Sequence, residues 1–199
     1  MTPTPLAGSV APHLPYLVRD FSHLRGLKSI PDWMIRSHLL HYEDGVRRLD
    51  RLHQRLEETD GNPAREPGMR QRMQRALQDL QLHELYFENL TPGSSAVSRR
   101  FATELRIAWG SFRAWQDEFR AMGQPDDVGW VILHMDPVEH QLSNDWVGLH
   151  DAGHPSGFIP LLVMDVQDHA CAGGQRSATI KAFLENIDWT CVENRHANP

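Results

Sequence analysis

Asp165 and His169 stand four residues apart at the end of an apolar run, Ile159-Pro-Leu-Leu-Val-Met-Asp-Val-Gln-Asp-His169. Residues 159–164 have the composition of a buried strand. If the chain turns helically after it, positions i and i+4 share a face, and carboxylate and imidazole converge. Removing that charge from water without a partner is costly, so the two either pair with each other or bind a metal. Two further histidines weigh toward a metal. His38 lies on the apolar stripe Ile35, His38, Tyr42, Val46, Leu49, Leu52 and Leu56, with His41 nearer its edge. His83 lies on the stripe Met73, Ala76, Leu77, Leu80, His83, Phe87 and Leu90. Three imidazoles and one carboxylate make an N3O donor set that suits iron, manganese, zinc or copper.

Both stripes recur every three or four residues, the mark of long amphipathic helices. The first helix is expected to start after Pro31 with Asp32 as its cap, and the second to stop at Thr91-Pro-Gly-Ser-Ser. Residues 59–68, rich in Gly and Pro, form the turn between them, which allows an antiparallel hairpin with His38 facing His83. Residues 1–29 read as an irregular arm. Residues 98–122 predict one or two more helices, with a break at Gly110-Ser111. The period then switches: residues 128–134 read as a strand and residues 141–149 as a weaker one. A loop, His150-Asp-Ala-Gly-His-Pro-Ser-Gly157, leads into the strand before Asp165. Residues 176–187 predict a helix, followed by a short one around Trp189. This order predicts an α+β fold: an N-terminal long helical hairpin followed by an α/β C-terminal half with a small antiparallel sheet. The division falls at residues 1–93 (arm and hairpin) and 94–199 (α/β domain), with the metal site between the two.

Bulk properties narrow the function. With 199 residues, 40% hydrophobic and 23% charged, the chain has a globular composition and enough length for a real core. A formal net charge of −6 with no basic block disfavours nucleic acid as a partner. No apolar run approaches the roughly 20 residues of a membrane span, and Met1-Thr-Pro-Thr-Pro-Leu-Ala-Gly lacks the features of a signal peptide. Cys171 and Cys191 make no disulfide framework and read as reduced thiols, which implies a cytoplasmic protein. Twelve histidines are many for this length, and His134, His140, His154 and His196 are expected at the surface.

The segment His83-Glu-Leu-Tyr-Phe-Glu-Asn-Leu-Thr-Pro92 resembles the H-x-x-[YF]-[WF]-x-x-L-x-P helix end of the iron/manganese superoxide dismutases. Pro160-Leu-Leu-Val-Met-Asp-Val-Gln-Asp-His-Ala170 is similar to that family's P-L-L-x-x-D-V-W-E-H-A. Trp109-Gly-Ser-Phe112, Val128-Gly-Trp130 and Ile187-Asp-Trp189 add to the resemblance, which runs from about residue 14 to residue 197. It implies one iron or manganese ion per chain, with His38, His83, Asp165 and His169 as its ligands and a solvent molecule as the fifth. It also implies superoxide as substrate and a homodimer.

The departures concern what surrounds those ligands. The family's channel tyrosine, eight residues after the first ligand, is Val46 here, and the histidine four residues after it is Tyr42. The tryptophan and glutamate of D-V-W-E-H are Gln167 and Asp168, and Cys171-Ala-Gly-Gly-Gln175 replaces a tyrosine-bearing segment. Asp79 occupies one of the two places from which the family's glutamine reaches the bound solvent; His150 is the candidate for the other. The resemblance implies dismutation, in which one superoxide is oxidised to O2 and the next reduced to peroxide. Tyr42 and His150 are then the candidates for relaying protons, and Arg176 a candidate for attracting the anion. Two rival readings follow from the altered gateway: a metal-dependent oxidase or oxygenase with an organic substrate, or a non-catalytic metal-binding protein.

Overall fold

The computed structural model of the chain describes residues 15–58, 68–148, 157–171 and 175–198. After a 3-10 turn at Ser22–Leu24 come the helices α1 (Asp32–Glu58) and α2 (Met69–Glu88), then α3 (Arg99–Trp109) and α4 (Phe112–Met122). The strands β1 (Gly129–Met135), β2 (Leu142–Gly148) and β3 (Ile159–Asp165) follow, and α5 (Arg176–Glu185) and α6 (Trp189–Ala197) close the described chain. The architecture is α+β, a helical front half followed by an α/β half with a three-stranded antiparallel sheet of order β2-β1-β3. No helix among the described residues is long and apolar enough to cross a membrane.

The apolar stripes explain why α1 and α2 pack together. Ile35, His38, Tyr42, Val46 and Leu49 are buried on α1, and Leu80, His83 and Phe87 on α2. Burying one such Leu or Phe is worth about 1.5–3 kcal/mol. Asp32 does not cap its own helix as expected. It is the first helical residue, and its Oδ1 accepts from the Gly26 backbone N–H at 3.0 Å, closing the preceding loop instead. The break at Gly110-Ser111 is real: Gly110 takes φ +83°, costly for a residue with a Cβ, and the Ser111 hydroxyl accepts from the Ala114 N–H at 3.0 Å.

β1, the middle strand with β2 and β3 on either side, is buried along its whole length. This corrects one expectation. His134 is not a surface residue but lies on β1 fully buried, its Nδ1 3.0 Å from Asp145 Oδ2 on β2. The outer edge of β3 is closed by side chains rather than by a strand. Asn89, buried just past α2, accepts from the Val163 N–H at 2.9 Å and donates to the Leu161 carbonyl at 3.2 Å. Arg195 of α6 donates to the same carbonyl at 3.0 Å. Pro160, which has no N–H to offer a ladder, sits on this edge strand as chemistry requires. The clamp fixes β3, and with it Asp165, against the end of α2.

Candidate metal centre

Each half of the fold supplies two of the four sequence-predicted donors. His38 projects from the second turn of α1 into a wall made by Tyr86 and Phe87, whose ring centroids lie 4.8 and 4.9 Å from its own. His83 comes from the last turns of α2, where Trp130 of β1 meets it edge-on at 4.8 Å. Its Nδ1 lies 2.8 Å from the Asp79 backbone carbonyl, one turn back. A carbonyl only accepts, so the proton sits on Nδ1 and Nε2 is left with a bare lone pair. Burial pushes His83 down to about 3, so the ring is neutral near pH 7. Burial lowers His38 as well.

Asp165 is the last residue of β3 and pairs across the ladder with Trp130. Its Oδ1 accepts from the Gln167 N–H at 2.8 Å, which leaves Oδ2 facing the histidines. Burial works against its charge, but the His169 and His38 imidazoles beside it hold the carboxyl well below the usual carboxylate range. The chain does not enter a helix after β3. It makes a turn in which the Gln167 carbonyl accepts from the Ala170 and Cys171 N–H groups at 3.1 and 3.0 Å. That turn is enough to carry the i+4 imidazole of His169 back over the carboxylate.

Oδ2 of Asp165 is the hub of the arrangement. His169 Nε2 lies 2.9 Å from it, His38 Nε2 3.1 Å and His83 Nε2 3.7 Å. The Nε2 atoms of His83 and His169 are 3.2 Å apart, and the four donor atoms all lie within 4.8 Å of one another. Short as these approaches are, Asp165 Oδ2 and His38 Nε2 have no partner in hydrogen-bonding geometry, although both are buried. Two such atoms cost about 1–3 kcal/mol each when left so. A cation among them removes that cost. Donors about 2.1 Å from a common centre stand about 3.0 Å apart at right angles and about 4.2 Å apart when opposite. The separations of 2.9–3.7 Å, within an overall spread of 4.8 Å, come close to those values, so these residues fit a first-row transition metal ion after small side-chain adjustments.

Four residues that the sequence placed near the ligands surround them, and only for His41 did the sequence give no role. His41, one helical turn beyond His38, lays its ring on His169 with centroids 3.9 Å apart and planes 15° apart. Its pKa is lowered by burial and by the neighbouring His169. The only sequence signal for it was its place three residues after His38, at the edge of the stripe. Asp79 has its carboxyl pushed up to about 6 by burial and by the Asp165 charge, with Oδ2 3.7 Å from His83 Nδ1. Gln167 is buried, and its Nε2 has no hydrogen-bond partner among the described residues. Val46, at the family's channel position, is buried too.

Tyr42 lies outside this cluster of donor atoms. Its hydroxyl donates to Glu84 Oε1 at 2.7 Å and accepts from the Arg19 N–H at 3.3 Å. Glu84 also accepts from the Tyr16 hydroxyl at 3.0 Å and from Arg19 Nη1 at 3.4 Å. Burial raises the Tyr42 phenol and, with the Glu84 charge, pushes Tyr16 up to about 12. Arg176 is committed elsewhere: its Nη1 donates to the Asp127 and Gly123 carbonyls at 2.9 and 3.4 Å. His150 lies outside the described residues.

Comparison with known proteins bears on the same residues. Residues 97–195 match the C-terminal domain of the iron/manganese superoxide dismutases. The chain is 32% identical over 171 residues to an iron superoxide dismutase of Cupriavidus metallidurans, covering 79% of this chain and 85% of that protein. It is 35% identical over 112 residues to a manganese superoxide dismutase of Halobacterium salinarum, covering 54% of this chain and 56% of the relative. With an iron superoxide dismutase of Aquifex pyrophilus it shares 33% identity over 122 residues, 57% of this chain and 55% of the relative.

Proposed function

Because the chain belongs to the iron/manganese superoxide dismutase family, we propose that it converts two superoxide ions and two protons into O2 and H2O2. The reaction takes place at one iron or manganese ion per chain, held by His38, His83, Asp165 and His169. The observation that carries this reading is the convergence of three Nε2 atoms on Asp165 Oδ2, with two of the four atoms buried and unsatisfied. Relatives named for each of the two metals support iron or manganese as the ion. When bound, the ion supplies one-electron exchange with superoxide in both directions.

The chain's own residues do the rest. Asp165 contributes the one negative charge of the donor set, and His83 a neutral lone pair fixed in place by its Nδ1–H bond to Asp79. Trp130, Tyr86 and Phe87 pack against the ligand rings and keep bulk water from them. Peroxide needs two protons, and Tyr42 and His150 are the candidates for bringing them. For Tyr42 the supporting observation is its hydrogen-bonded run through Glu84 to Tyr16 and Arg19, the last of which is half exposed. Trp33 and Leu40, seven residues apart on α1, are 55% and 56% exposed, an apolar strip that a homodimer would cover. The reading includes that dimer and a cytoplasmic setting.

The test is superoxide decay by stopped flow on protein reconstituted separately with iron and with manganese, beside a His83→Ala control. Fast decay with one of the metals, lost in the control, is the expected result. Stoichiometric metal with no acceleration of decay overturns it.

A further inference from the structure

Of the four donors, His169 stands on the weakest scaffold. His38 and His83 come from long helices, and Asp165 from a strand clamped on both edges. His169 comes from an irregular turn, and its side chain is 19% exposed where the other three are 3% or less. His83 has its Nδ1 tied to a backbone carbonyl, whereas within the described residues of a single chain no such bond ties the Nδ1 of His169. An imidazole on such a turn can rotate about Cα–Cβ and Cβ–Cγ and swing its Nε2 out of the cluster unless a neighbour fixes its plane. A ligand histidine ordinarily has an outer partner that sets its ring plane.

One group does meet that ring face to face. The His41 imidazole lies nearly parallel on it at contact distance, 3.9 Å between centroids and 15° between planes, whereas His83, also near parallel at 20°, is 5.3 Å away and His38 stands edge-on at 4.7 Å. His41 is carried by α1, the same rigid helix that presents His38 three residues earlier, so one element sets both rings. We infer that His41 is a positioning residue for the centre, its stacked face fixing the plane of His169 and so the aim of His169 Nε2. This rests on the reading that the four donors hold a metal. His41 acts through its flat face, a role different in kind from the hydrogen-bonded carboxylate or carbonyl that usually orients a ligand histidine. The side chain that matters is therefore any planar ring at position 41.

The test compares the full-length chain with its His41→Phe and His41→Ala variants. Manganese(II) affinity is measured by competition with a chelator, and the iron(III) form is examined by electron paramagnetic resonance. Wild-type chain and His41→Phe should bind manganese alike and share one iron spectrum. His41→Ala should bind about tenfold more weakly, the low end for loss of a ligand's outer partner, and show a changed spectrum. Equal affinity and spectra for all three overturn the inference, as does His41→Phe behaving like His41→Ala, which would assign the role to a ring nitrogen. If His41→Ala fails to fold, His41→Phe decides alone, and weakened binding by it overturns the inference. Absence of metal binding by the wild-type chain sinks the metal-centre reading itself, a result distinct from any pattern among the variants.

Discussion

Replacing Asn89 with Leu removes the clamp on the outer edge of β3 while keeping the size and branching of the side chain. Two bonds are lost. The Leu161 carbonyl keeps its bond to Arg195, so losing the Asn89 amide there costs the net value of one hydrogen bond, about 1 kcal/mol. The Val163 N–H has no such reserve: it is buried, and its bond to Asn89 Oδ1 is its only one in the described structure. Orphaning it costs about 1–3 kcal/mol. The added apolar contact of leucine returns roughly 1 kcal/mol, about one buried methylene. The sum is a loss of about 2 kcal/mol. Urea unfolding of the metal-free protein, followed by far-ultraviolet circular dichroism, should show a midpoint lower by about 1 M, for a slope near 2 kcal/mol/M. A fall of less than about 0.3 M would refute the reasoning, because it would mean that water or another group reaches the Val163 N–H. Since Val163 lies two residues before Asp165, manganese affinity should fall with the same substitution.

Asp165→Asn keeps Oδ1 for the Gln167 N–H but removes the charge at the hub, so the metal content of purified protein should fall by at least about tenfold while its circular dichroism stays native. Elemental analysis at unchanged loading would contradict the ligand role. Gly129→Ala places a Cβ against the Val147 carbonyl oxygen and 3.1 Å from Gly148 Cα, backbone atoms that cannot yield without parting β1 from β2. It should cost about 1–3 kcal/mol in thermal unfolding, where a neutral result would show the strands free to move apart. Tyr16 and Tyr42 share Glu84, and both phenols are raised above their ordinary value, Tyr16 to about 12. In a Tyr86→Phe background, ultraviolet titration should therefore show no phenolate at pH 10 in the folded protein. The unfolded chain releases those protons near pH 10 while the folded chain keeps them, so stability is full below pH 10 and falls as pH rises toward 12. A phenol ionising near 10 in the native state would refute this.

The sequence determined which residues face inward. A 3.6-residue period fixes which side of a helix is apolar, and that put His38 and His83 inside, while the apolar run 159–164 and the i, i+4 spacing put Asp165 and His169 together at a strand end. Element order, and the helix break at Gly110-Ser111, were legible for the same local reason: turn residues and periodicity act over a few positions. Periodicity says nothing of what a face meets. The partner of Tyr42 is Glu84, 42 residues away, and no pattern near either residue announces it. His134 looked like a surface residue because its neighbours in sequence do not reveal that β1 is the middle strand, flanked on both sides. His41 sat at the edge of its stripe, and only the turn after β3 brought His169 under its ring. The candidate donor residues were therefore legible in local pattern, while the groups that pack around them were decided by contacts between segments far apart in the chain, which only the folded structure brings together.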